Sequence, residues 1–172
     1  MNDRAPAPGS LALIQSLVNT LDIESGADSL DTPESRAHFG LATAGAEGVA
    51  EEVAAARELR ESLRAACLAH AGHPPHRTVT PLGELLARSP LRVTVDEHDG
   101  SAGFAPAAAS LTSTVAAAVA EALVAGTWQR LKACEAPTCH WVYYDRSPGG
   151  RGRWCSMSVC GARAKMRRYR AK

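Results

Sequence analysis

Four of the five cysteines fall in the last 39 residues, as two pairs: Cys134 and Cys139 with four residues between them, and Cys155 and Cys160 with four more. Fifteen residues separate the pairs. Two short-spaced pairs of soft thiolates from separate loops suit tetrahedral zinc, with sulfur at about 2.3 Å, because little chain entropy is lost within each pair. Four thiolates leave no open coordination position. Such a site is structural, and metal binding supplies folding free energy to a module too small to fold alone. Buried or redox-active thiols are the alternative reading of the same residues, and His140, beside Cys139, is the competing ligand.

The second chemical feature is charge. Residues 1–145 carry 10 Lys/Arg against 18 Asp/Glu, a balance of −8, whereas residues 146–172 carry nine Lys/Arg and no acid. The net charge of +1 hides this division. A basic segment on an acidic body points to contact with a polyanion at one end of the molecule, most often nucleic acid. The segment comprises Arg146, Arg151 and Arg153, then Arg163, Lys165, Arg167, Arg168, Arg170 and Lys172. After Gly161 no helix breaker occurs, and Ala162, Met166 and Tyr169 form a narrow apolar stripe expected to lie against the cysteine knuckle. Arg163, Arg167 and Arg170 then share one flank, and Lys165, Arg168 and Lys172 another, so phosphates could be met on both sides of a helix in or across a groove. The alternatives are an acidic protein surface, or plain solvation of the face.

These residues need a scaffold, and 172 residues allow one ordinary domain with a small appended module. Hydrophobic residues make up 45%, but only Phe39 and Phe104 are phenylalanines, so the core is built from Leu, Val and Ala and favours packed helices. Ser10 is the expected cap of a first helix that carries Leu11, Ile14, Val18 and Leu21 and ends near Asp22. Thr32-Pro33-Glu34 starts a short helix through Leu41. The longest helix is expected over 46–71, with Val49, Val53, Leu59, Leu63 and Cys67 on its apolar face and Glu51, Glu58, Arg60, Glu61 and Arg64 elsewhere. Cys67 reads as a small core residue. His70, His73 and His76 flank the Gly72-Pro74-Pro75 break and read as loop residues.

Thr80-Pro81 caps another short helix, closed by Pro90. Leu91 to Val95 alternates apolar with polar residues, and Asp99-Gly100 marks the turn of a β-hairpin that returns through Ala102 to Phe104. An alanine-rich helix follows over 107–125. The domain boundary is expected near Gly126 to Gln129, giving an α-rich unit over 1–127 and a zinc module over 128–172. Within the module, Trp141 to Tyr144 reads as a strand and Ser147-Pro148-Gly149-Gly150 as the turn after it. The fold class is α+β, mainly α.

The stretch Cys134-Glu-Ala-Pro-Thr-Cys139-His-Trp141, then Asp145, then Arg153-Trp154-Cys155 through Cys160-Gly161-Ala162-Arg163-Ala164-Lys165, resembles the CGNR zinc-finger family. Leu11-Ala12-Leu13 and Val18-Asn19-Thr20-Leu21 are similar to the opening of the ABATE domain that precedes the finger in that family. Its members are described as stress-induced transcription regulators, so the resemblance implies DNA as the partner. One departure stands in the name-giving motif, where Ala162 replaces the family's asparagine; the metal ligands survive.

The function expected from the sequence is zinc-dependent, DNA-binding transcriptional regulation. An adaptor that grips an acidic protein, and a redox sensor that releases zinc on thiolate oxidation, are the alternatives. An effector small molecule and a homodimer are further partners the N-terminal unit would serve. No nucleophile elbow, phosphate loop or dinucleotide fingerprint appears, so no enzymatic activity is expected. The N-terminus lacks the basic and long apolar regions of a secretory signal, and the longest apolar run, Val115 to Ala120, is far too short to span a bilayer. A cytoplasmic protein with no membrane partner is expected.

Overall fold

The computed structural model describes residues 5–42 and 48–171. Six α-helices lie among them: α1 (Leu11–Val18), α2 (Pro33–His38), α3 (Val49–His70), α4 (Leu82–Leu86), α5 (Leu111–Val124) and α6 (Ala162–Arg170). Two antiparallel hairpins complete the architecture: β1 (Leu91–Val95) with β2 (Ala102–Pro106), and β3 (Leu131–Ala133) with β4 (Val142–Tyr144). No described helix is long and apolar enough to cross a membrane.

The main core forms where α1, α3 and α5 bury Leu11, Ile14, Leu17, Val18, Leu59, Leu63, Cys67, Val115 and Ala118. Cys67 is fully buried, and burial pushes its thiol up to about 12, which suits an inert core residue. Small alanines on α5 let the helices approach closely. Ser110 starts that helix by accepting a hydrogen bond from the Ser113 amide at 3.2 Å, so α5 begins at Leu111, four residues after the expected start at Ala107.

Several sequence expectations need correction. α1 stops at Val18, because Thr20 and Leu21 leave the helix for an isolated bridge between Leu21 and Asp28, and Ser10 makes no side-chain cap. α2 is capped by Thr32 as expected but ends at His38, where the chain turns through Gly40 at φ 67°. α3 runs from Val49 to His70; the expected start at 46–47 lies outside the described residues. Thr80 does not cap α4. Its amide donates to Glu58 and its carbonyl accepts from Ser62, which ties α4 to α3.

The largest difference lies on α3. Arg60, Glu61 and Arg64 are buried, Arg64 completely. Glu61 accepts from Arg60 Nε at 2.8 Å and from Arg64 Nε at 3.1 Å, and Arg60 also reaches Asp28 at 2.8 Å. Arg64 spends its remaining donors on the carbonyls of Val18, at 2.8 Å, and His140, at 3.0 Å. A buried charge is tolerable only when paired and fully hydrogen-bonded, and these contacts meet that condition.

The β3–β4 hairpin belongs to the same core: Leu131, Ala133 and Val142 are completely buried in it. Along α3 and beyond its end, the three histidines face this hairpin rather than open loops. His70 Nδ1–H donates to the Leu131 carbonyl at 2.8 Å, His73 approaches Glu135 at 3.4 Å, and the His76 ring lies 5.6 Å from that of His140, tilted by 44°.

Candidate metal centre and basic helix

Cys134 follows β3 directly, and a tight turn closed by Cys139 N–H on the Ala136 carbonyl, 2.9 Å, brings Cys139 back beside it. His140 then takes a left-handed conformation, φ 44°, and the chain enters β4. Its ring bonds the Cys134 carbonyl through Nδ1 at 3.1 Å, and it is not among the residues whose ligand atoms converge on the metal position. The second pair comes from the other side of the module. Cys155 precedes, and Cys160 lies within, a π-helical turn, Met157–Gly161, which Ser156 caps by accepting from the Val159 amide. Glu135 N–H donates to the Arg153 carbonyl at 3.1 Å and so joins the two loops.

All four sulfurs lie within 4.8 Å of one another. The Cys139–Cys155 and Cys155–Cys160 sulfur distances are both 3.6 Å. Tetrahedral zinc with bonds of about 2.3 Å requires sulfur–sulfur edges of about 3.8 Å, so the residues fit the ion. Hydrogen bonding between the sulfurs of Cys134 and Cys139 brings Cys139 down to about 2 and pushes Cys134 up to about 12, and bonding to Cys134 and Cys139 raises Cys155. Four thiolates in so small a space need a dication. One structural zinc on Cys134, Cys139, Cys155 and Cys160 is the cofactor this set accommodates, with no open position for catalysis.

Asp145 organises the loop between the pairs, a role its sequence position alone does not reveal. The nearly buried carboxylate accepts from Lys132 Nζ at 3.0 Å, Ser147 N–H at 3.0 Å and Gly152 N–H at 2.8 Å. Burial raises its pKa, but these donors more than offset that and bring it down to about 2. A Cβ at Gly152 would stand 2.8 Å from Asp145 Oδ1, so only glycine admits this approach. Gly161 is less constrained, since a Cβ there would meet Met157 Sδ at 3.1 Å, the end of a flexible and exposed side chain.

The basic residues divide into two sets. Arg146 donates to the Pro6 carbonyl at 2.6 Å and covers the Tyr144 ring, Arg153 pairs with Glu135 at 2.7 Å, and Arg163 grips both oxygens of Glu24 at 2.9 Å. Arg151, Lys165, Arg167, Arg168 and Arg170 make no ion pair with any described residue. Lys172 lies outside the described residues. α6 packs chiefly on the π-turn, and its expected apolar stripe is not covered: Met166 is 51% and Tyr169 77% exposed. Met157, at 73%, joins them.

Shallow grooves run along two sides of α6. Arg163, Met166, Arg167 and Arg170 line one, and Arg153, Trp154, Met157, Lys165 and Arg168 line the other. Arg146 and Arg151 line neither.

Two family models match the chain. One, described as "CGNR zinc finger", covers residues 130–172, and the other, ABATE, described as "Putative stress-induced transcription regulator", covers residues 11–126. No curated protein matches.

Proposed function

The chain belongs to the ABATE family of transcription regulators and carries a CGNR zinc finger, and from that premise we propose that it is a DNA-binding regulator whose finger presents α6 to the duplex. One observation carries the reading. Lys165, Arg167, Arg168 and Arg170 project from a helix with no buried residue, and no carboxylate among the described residues pairs with them. Clustered arginines with free donors suit bidentate contact with phosphate or guanine. The zinc then acts as an anchor, fixing the π-turn from which α6 starts. The reading assigns no catalytic step and places the protein in the cytoplasm.

A second reading, an adaptor for an acidic protein, is favoured by the pairing of Arg153 with Glu135 and of Arg163 with Glu24, carboxylates of the same chain. Selection of genomic DNA fragments by zinc-loaded protein at near-physiological salt separates the two, with a Cys155→Ser, Cys160→Ser double variant in parallel. Enrichment of discrete fragments by the intact protein alone is the expected result. Uniform recovery, or none, overturns the DNA reading and turns the search to acidic protein partners.

A further inference from the structure

β1 is an exposed strand whose ladder partner is β2. α5 packs chiefly on β2, and Arg92, Val93, Thr94 and Val95 are all exposed, Val93 to 70% and Val95 to 62%. The β1–β2 ladder fixes which main-chain groups remain unpaired. Asp96 N–H donates to Ser101 at 2.7 Å and Ala107 N–H donates to Pro90 at 3.2 Å, so the even-numbered residues of β1 direct their amides and carbonyls towards β2. In an antiparallel ladder the alternate residues face the other way. Leu91, Val93 and Val95 therefore hold unpaired donors and acceptors along the open edge. An exposed apolar edge without bulge, lysine or proline invites another strand.

We propose that β1 pairs with β1 of a second copy, antiparallel and centred on Val93, to join two hairpins into one four-stranded sheet. The edge is self-complementary in this register. Val93 meets Val93 of the partner subunit, Leu91 meets Val95 of the partner subunit, and about six main-chain hydrogen bonds form. The three apolar side chains share one face, where cross-strand pairs contribute. Arg92 falls opposite Thr94 of the partner subunit on the other face. Charge selects the same orientation: antiparallel pairing sets the acidic hairpin tip, Asp96, Glu97 and Asp99, beside Arg88 of the partner subunit, and Arg88 has no carboxylate partner among the described residues. Parallel pairing would bring the two acidic tips together. Such a twofold axis is isologous, as closed dimers require.

The test is the mass of the zinc-loaded full chain in solution, by sedimentation from micromolar to submillimolar concentration. A reversible monomer–dimer equilibrium is expected. Val93→Lys, at a position already exposed in the monomer, sets two like charges on the axis and should raise the dimer dissociation constant roughly tenfold or more. Val93→Pro removes only the outward amide and should act likewise, with unchanged helical circular dichroism. Arg88→Glu should weaken the dimer and Arg88→Glu with Glu97→Arg restore it. A monomer at every concentration, or a dimer indifferent to both Val93 substitutions, overturns the proposal.

Discussion

The side-chain amide of Asn19 completes the outer edge of β4 by pairing with Val142: its Nδ2 donates to the Val142 carbonyl at 2.8 Å, and the Val142 amide donates to its Oδ1 at 2.8 Å. A side chain at the end of α1 thus stands in for a strand. Gln15, one turn earlier, reaches the same carbonyl at 3.3 Å while accepting from the Ala7 amide. The hairpin that leads into the metal site is consequently held by residues more than a hundred positions away in the chain.

Asn19→Ala should therefore cost about 1–3 kcal/mol of stability, since it strands the Val142 amide and weakens satisfaction of its carbonyl. Urea unfolding monitored by circular dichroism measures the loss. Zinc affinity, from competition with a colorimetric chelator, should fall in the same variant, because the strand leading out of Cys139 loses its support. An unchanged affinity would show that the finger forms independently of α1.

Stripping zinc with a strong chelator should disturb more than the finger. Leu131, Ala133 and Val142 lie in the core shared with α1, α3 and α5, so disordering of the metal loops loosens the hairpin that fills it. The expected outcome is a red shift in the emission of Trp141 and Trp154, together with a lower melting temperature for the helical signal. Cys155→Ser should reproduce both effects without chelator. A helical transition indifferent to zinc would contradict the shared core.

The contrast between Cys134 and Arg64 explains what the sequence could reveal. Ligand spacing within each cysteine pair is a local property, set by loops of a few residues, so the sulfur cluster is legible before any folding is known. The fate of Arg64 depends on Val18, Glu61 and His140, of which only Glu61 is a sequence neighbour, and a charged residue on a helix reads by default as solvated. The same limit hid the roles of Asn19 and of the three histidines. Met166 and Tyr169 fail for the opposite reason: helical periodicity identifies an apolar stripe correctly but says nothing of whether a surface exists to cover it.

Arg64→Leu follows from that network. Removing the cation leaves the carboxylate of Glu61, which is 1% exposed, short of one of its ion pairs, a change that costs roughly 3–5 kcal/mol in buried pairs. It also frees the His140 carbonyl, where the backbone already holds a left-handed turn. Denaturant unfolding should register the full loss, and Arg64→Lys should recover little, because one ammonium cannot span Glu61, Val18 and His140 together.

Acid should weaken the joint between α3 and the hairpin through His70. Burial lowers the pKa of this ring below its ordinary 6.5, although the hydrogen bond to Leu131 partly opposes the shift. The folded protein therefore binds a proton less readily than the unfolded chain. The stabilisation is present above about pH 6.5 and is lost as pH falls towards the folded value. His70→Gln, which keeps a donor for the Leu131 carbonyl, should flatten this dependence between pH 7.5 and 5.5. Parallel melting series of both proteins isolate the histidine, because proton competition at the cysteines is common to the two.

The pairing of Arg163 with Glu24 makes α6 asymmetric, and salt titrations of DNA affinity can read the asymmetry. Arg167 and Arg170 have no ion-pair partner among the described residues, so each phosphate contact they make is a net gain; their double alanine variant should reduce the slope of log affinity against log salt by about 1.8. Arg163 must first leave Glu24, an exposed carboxylate bound through two oxygens at 2.9 Å. Its removal should cost less affinity than that of either neighbour on the same flank. Glu24→Gln should do the reverse and tighten DNA binding about twofold to fivefold, the range expected for releasing an exposed ion pair. If Glu24→Gln instead weakened binding, Arg163 would be serving to orient α6 through the body rather than to contact phosphate, and the footprint would shift to Lys165 and Arg168 on the opposite groove.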